Sequence, residues 1–181
     1  VALGLLAPDV DLYALELEFR SGVVLGQYDP ETKQLYVVTA THLLGPLERV
    51  TAAHEYTHAL QDQYFDLLRL RPRTAPDTDR SLAVAALLEA DATFVAERYA
   101  ATVLTEAEQA ERRRQVRELY REVDLDRIPL VVREQSYFPY TEGPRFLRQV
   151  LGDAALRGEG YGAAVNRLFA DPPQATAQVL H

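Results

Sequence analysis

From Leu47 to Leu68 the chain contains neither proline nor glycine, and Pro46 stands where a first helical turn tolerates it. The pattern predicts one long helix over Leu47–Leu68. On such a helix His54 and His58 lie about 40° apart round the axis and one turn apart along it, so both imidazoles can reach one ion. Glu55 falls about 100° round from His54, beside such an ion instead of on it. There it can take a proton from water that the ion has activated. Two histidines at this spacing around a glutamate predict one Zn2+ ion held by His54 and His58, with Glu55 as general base.

A catalytic zinc usually takes three protein ligands and keeps a fourth position open. The chain has no cysteine, so thiolate ligands and disulfides are excluded together, and any metal must be held by His, Asp or Glu. A third ligand at the metzincin spacing needs Gly at 61 and His at 64, where this chain has Gln61 and Tyr64. His42 and His181 follow no familiar ligand spacing. Glu89 lies in the small, apolar run Ala85-Ala86-Leu87-Leu88-Glu89-Ala90-Asp91-Ala92-Thr93. A carboxylate there is costly to bury unless it is paired or binds a metal. A loop and an antiparallel return helix would bring it back to the histidines. Glu89 is therefore the expected third ligand, with Asp91 as the alternative.

The rest of the chain is read as a single domain over residues 1–181. Its size suffices for a buried core, and 48% hydrophobic with 25% charged residues is ordinary for a globular protein. A net charge of −8 without a basic stripe argues against nucleic acid as partner. No apolar run is long enough to cross a bilayer. The sequence has no methionine, so a trimmed piece of a longer chain is expected, with any export signal before Val1. Oligomeric state has no signature in the sequence. A helix is expected over residues 9–20, capped by Asp9 or Asp11. Two β-branched and aromatic runs, at residues 23–28 and 34–38, flank an Asp-Pro turn and predict a β-hairpin. Residues 71–76 read as a loop. A second helix is expected from Arg80 to Val103. A third should open on the capping box Thr105-Glu106-Ala107-Glu108, and shorter helices are expected at Glu142–Leu151 and Tyr161–Ala170, ended by Pro172-Pro173.

The stretch His54-Glu55-Tyr56-Thr57-His58-Ala59-Leu60-Gln61-Asp62-Gln63 resembles the gluzincin branch of the zincin metallopeptidases. Within it, the chain looks like a group of bacterial and archaeal predicted metalloproteases that carry this extended motif. In that group the third-ligand segment usually reads Glu-Gly-Asp/Glu-Ala, against Glu89-Ala90-Asp91-Ala92 here. Gly26-Gln27-Tyr28-Asp29-Pro30-Glu31-Thr32, Phe138-Pro139-Tyr140 with Gly143, and Pro172-Pro173 with His181 look similar too.

The resemblance implies an α+β, predominantly helical, zincin-like fold with a small sheet packed beside the motif helix. It implies a zinc peptidase acting on a peptide or protein substrate, which the edge of that sheet can align by strand addition. The hairpin at 23–38 is the candidate for this sheet, and an edge that is simply covered is the alternative. Related gluzincins use a later Tyr or His to stabilise the oxyanion, which points to Tyr140; the alternative makes Tyr137, Phe138 and Tyr140 core aromatics and Thr141 a helix cap. Arg145 is a weaker candidate. Asp62 or Asp91 could orient a ligand histidine through its other ring nitrogen, or serve as a solvent-facing or loop-pairing acid. Two rival functions stand beside the peptidase: a zinc-binding domain without hydrolytic activity, and a hydrolase of non-peptide bonds.

Overall fold

In a computed structural model the described residues are 10, 11, 14, 24–71, 78–122 and 128–181. The expected helix at 9–20 and loop at 71–76 lie almost wholly outside them. Of the first, Asp11 Oδ1 does accept a bond from Ala14 N at 3.0 Å, the contact a helix cap makes. The described residues are predominantly helical, with one small two-stranded antiparallel sheet. None of their helices is long and apolar enough to cross a membrane.

Strands β1 (Gly26–Asp29) and β2 (Gln34–Val37) form the hairpin, with Gln27 opposite Tyr36 and Tyr28 opposite Leu35. Asp29 organises its turn: one carboxylate oxygen takes Glu31 N at 3.0 Å and the other takes Thr32 Oγ1 at 2.9 Å. The hairpin lies on helix α1 (Pro46–Phe65). A side chain at Gly26 would sit 2.6 Å from Thr51 Cγ2 and 3.0 Å from Glu55 Cγ, so only glycine allows β1 to seat this closely.

Helix α1 begins at Pro46 as expected but stops at Phe65, short of Leu68. Asp66 turns into the left-handed region (φ 55°), and its Oδ1 then accepts Arg69 N at the start of the short α2 (Leu67–Leu70). A residue that bonds its own neighbouring amides competes with helix continuation, and here it wins. The long helix α3 (Thr78–Val103) runs antiparallel to α1 and is buried nearly all round from Ala83 to Ala92, because α1 covers one side and α5 the other. Helix α4 (Glu106–Glu122) opens on the expected capping box: Glu108 Oε2 accepts Thr105 N at 2.8 Å and Thr105 Oγ1 accepts Glu108 N at 3.3 Å. Arg49 pairs with Glu108 and holds this polar helix on α1.

The largest departure from expectation is α5, which runs from Leu130 to Arg157 instead of starting near Glu142. Pro139 and Pro144 lie inside it, each removing one helical hydrogen bond. Packing outweighs that loss: Pro139, Gly143, Phe146 and Leu147 are all buried. At Gly143 an added Cβ would lie 2.3 Å from the Ala86 carbonyl oxygen and 3.2 Å from Ala90 Cβ, so the two backbones are in contact there. Near its end α5 kinks at Gly152 (φ 72°). Helix α6 (Tyr161–Ala170) has its expected bounds, and beyond Pro172-Pro173 a short α7 (Thr176–Leu180) follows that the sequence did not announce. Leu87, Leu147, Val165 and Phe169 centre the main core, with Phe65 stacked on Phe169 at 4.7 Å. Val50, Ala96, Ala100 and Leu104 form a smaller one at the far end of the α1–α3 pair.

Candidate metal centre

The antiparallel packing of α1 on α3 brings Glu89 against the two histidines. His54 Nε2 lies 3.1 Å from Glu89 Oε2 and 3.1 Å from His58 Nε2, and His58 Nε2 lies 3.4 Å from Glu89 Oε2. The three atoms thus form a nearly equilateral triangle. These three residues could hold a metal ion. The donor set suits zinc in kind, two imidazole nitrogens and one carboxylate oxygen. It also suits zinc in size: atoms bonded at about 2.0–2.1 Å to a tetrahedral zinc stand about 3.3–3.4 Å apart. The side chains keep 18%, 13% and 18% of their surface exposed, in the order His54, His58, Glu89, so the cluster can be reached from solvent.

Electrostatics couple the three groups. Burial works to raise the Glu89 carboxyl, but His58 and His54 outweigh it and hold it well below the usual carboxylate range. Burial works to lower His58, yet Glu89, with help from Gln61 and Glu55, holds it up at about 9. A negative Glu89 is therefore built into the site, and it attracts positive charge to the His58 imidazole.

Glu55 shares α1 with the histidines and is 8% exposed. Its Oε2 accepts the backbone N–H of Tyr28 at 2.7 Å. Tyr28 belongs to a pair whose backbone groups point away from β2: Val38 N bonds Leu25 O, and Tyr28 stands an odd number of residues along from Leu25. The outer edge of β1 is thus turned to α1, and Glu55 takes a donor from it. Of the two expected roles for the hairpin, the covered edge describes β1 at this point. Burial raises the Glu55 carboxyl, against the pull of His58, His54 and the Tyr28 amide.

The other expected site residues fall out differently. Asp62, although one turn beyond His58, turns to the hairpin: its carboxylate accepts Tyr28 OH at 2.7 Å, Lys33 Nζ at 2.6 Å and Leu67 N at 3.1 Å. It is the loop-pairing acid of the two alternatives. Asp91 accepts Gln61 Nε2 at 2.8 Å and Tyr161 OH at 2.6 Å. Burial raises its carboxyl despite those donors. The group that meets the back of His58 is Gln61, whose Oε1 lies 2.8 Å from His58 Nδ1. In the sequence, Gln61 stands out only as the residue where a metzincin needs glycine. A polar side chain one turn beyond a ligand histidine, on the same helix face, was the signal available.

Tyr140 stands inside α5, not ahead of a helix start, and Thr141 caps nothing: its hydroxyl donates back to the Tyr137 carbonyl at 3.2 Å. Tyr140 is 50% exposed and so is not a core aromatic either, whereas Phe138 packs against the core. It lies one turn before Gly143, where α5 touches α3 at Ala86 and Ala90, the turn that carries Glu89. Arg145 is exposed and pairs with Glu142 at 2.9 Å. His42 and His181 are exposed and belong to no metal-ligating group among the described residues. Comparison with protein-family models, with curated proteins and with solved structures finds no match for this chain.

Proposed function

We propose that this chain is a zinc-dependent hydrolase of the gluzincin type, cleaving peptide bonds in a peptide or protein substrate. One observation carries the reading: two imidazole nitrogens and a carboxylate oxygen converge at 3.1–3.4 Å, with a buried carboxylate next to them on the same helix. His54, His58 and Glu89 would hold the ion. Bound there, zinc would supply an activated water and polarise the scissile carbonyl.

The chain's own groups do the rest. Tyr28 N–H fixes Glu55 through Oε2, which leaves Oε1 to receive a proton from the attacking water. Burial favours this transfer, since a carboxylate kept from water is a stronger base. Glu55 then delivers the proton to the departing amine nitrogen. Tyr140, one turn from the α3–α5 contact, is the proposed donor to the oxyanion.

The test is zinc content and peptide hydrolysis measured side by side. Wild type should bind one zinc per chain and cleave an unstructured protein such as casein. Glu55→Gln should keep the zinc and lose the cleavage. Cleavage that survives in Glu55→Gln rejects the mechanism. Zinc bound without cleavage by wild type supports the rival reading, a zinc-binding domain without peptidase activity.

A further inference from the structure

Behind His58 runs a chain of buried groups that the proposed chemistry does not use. Gln61, Asp91 and Tyr161 are 3%, 5% and 8% exposed. They link His58 on α1 to α3 and to the first residue of α6. Gln61 spends its amide nitrogen on two acceptors, the Asp91 carboxylate at 2.8 Å and the Leu88 carbonyl at 3.1 Å. Tyr161 OH donates to the other Asp91 oxygen at 2.6 Å, and the Tyr161 ring packs on Phe94 at 4.4 Å.

These contacts leave the Gln61 amide one orientation. Reversed, its oxygen would face a carboxylate and a carbonyl, both acceptors, in a buried site. The amide oxygen therefore faces His58 Nδ1, and only a proton on Nδ1 completes that bond. With Nδ1 protonated, the lone pair of a neutral His58 sits on Nε2, the atom aimed at His54 and Glu89.

We infer that Gln61, locked by Asp91, Tyr161 and the Leu88 carbonyl, is a positioning residue that sets the tautomer and ring orientation of His58 for metal binding. It follows that Asp91 is committed to this relay and is not a ligand. The inference rests on the zinc reading of the site.

Zinc affinity of the full chain, measured by competition with a chelator, tests it together with nitrogen-detected NMR of the His58 ring. In zinc-loaded wild type the His58 Nδ1–H should be visible and slow to exchange. Gln61→Leu, which removes the acceptor, should weaken zinc binding about 10–100-fold and expose that proton. Gln61→Glu keeps an acceptor toward His58 and can share a proton with Asp91, so it should bind zinc within about threefold of wild type. A folded Gln61→Leu that binds within about twofold of wild type overturns the inference. So does Gln61→Glu if it is as weak as Gln61→Leu. Should Gln61→Leu not fold, a wild-type Nδ1–H that exchanges at the solvent rate overturns the inference without any variant. Wild type that binds no zinc removes the zinc reading itself, whereas zinc-binding wild type beside a neutral Gln61→Leu removes only the role of Gln61.

Discussion

Asp62→Ala is expected to loosen the hairpin from α1, and its size can be worked from the three bonds that the carboxylate accepts. Leu67 N is a buried donor and Tyr28 OH a half-buried one; stranding each costs about 1–3 kcal/mol. Lys33 is 59% exposed at its end of the pair, so that contact adds about 1 kcal/mol at most. The sum is about 2–7 kcal/mol, read as a shift in the urea midpoint at constant slope. Asp62→Asn keeps an acceptor for Leu67 N and should cost less, about 1–2 kcal/mol.

Burial works to raise the Asp62 carboxyl, and Lys33, Tyr28 and Leu67 outweigh it and hold it below its ordinary value. A depressed carboxyl stabilises the fold fully above the unfolded value, about 4, and loses that contribution as pH falls through the folded value. The gap between wild type and Asp62→Asn should therefore be full at neutral pH and shrink in acid. Two local readouts accompany it. The Tyr28 phenol, pushed up to about 12 by burial and by Asp62, should titrate closer to 10 in Asp62→Ala, and the Tyr28 amide that bonds Glu55 should exchange faster. A loss under about 1 kcal/mol with Tyr28 exchange unchanged would refute the strapping of the hairpin by Asp62.

Gly143→Ala should destabilise the chain by about 1–3 kcal/mol in denaturant melts, because its new methyl meets a backbone carbonyl that no rotamer change can move. Zinc at about 100 times its dissociation constant should stabilise wild type by about 2.7 kcal/mol in a thermal melt; Glu89→Ala should abolish that shift, and a shift left intact would remove Glu89 from the ligand set. Tyr140→Phe should lower kcat about 10²-fold or more with KM and zinc content nearly unchanged, the pattern of a donor felt only in the transition state; an unchanged kcat would return Tyr140 to the surface.

The sequence by itself determined the parts that repeat locally. An uninterrupted helical stretch placed His54, Glu55 and His58, because side chains one and four residues apart have fixed angles on any helix. The absence of cysteine and the carboxylates in the apolar run at 85–93 pointed to Glu89 with Asp91 as the alternative, and Asp91 is found bonded to Gln61 and Tyr161. The Asp-Pro turn, the capping box and the bounds of α6 were legible for the same reason: each is settled by bonds among near neighbours. What failed or stayed open was judged locally and decided by packing. The start expected near Glu142 gives way to Leu130, because the burial of Phe146 and Leu147 and the contact of Gly143 with α3 carry α5 through Pro139 and Pro144. Asp62 is open in the sequence between orienting a histidine and pairing with a loop; a hairpin far upstream in sequence decides for the second, and Gln61 meets the His58 ring instead. Helix geometry fixes which residues share a face. Only the tertiary structure fixes what that face meets, since the meeting groups come from α3, α6 and the hairpin, tens of residues away along the chain.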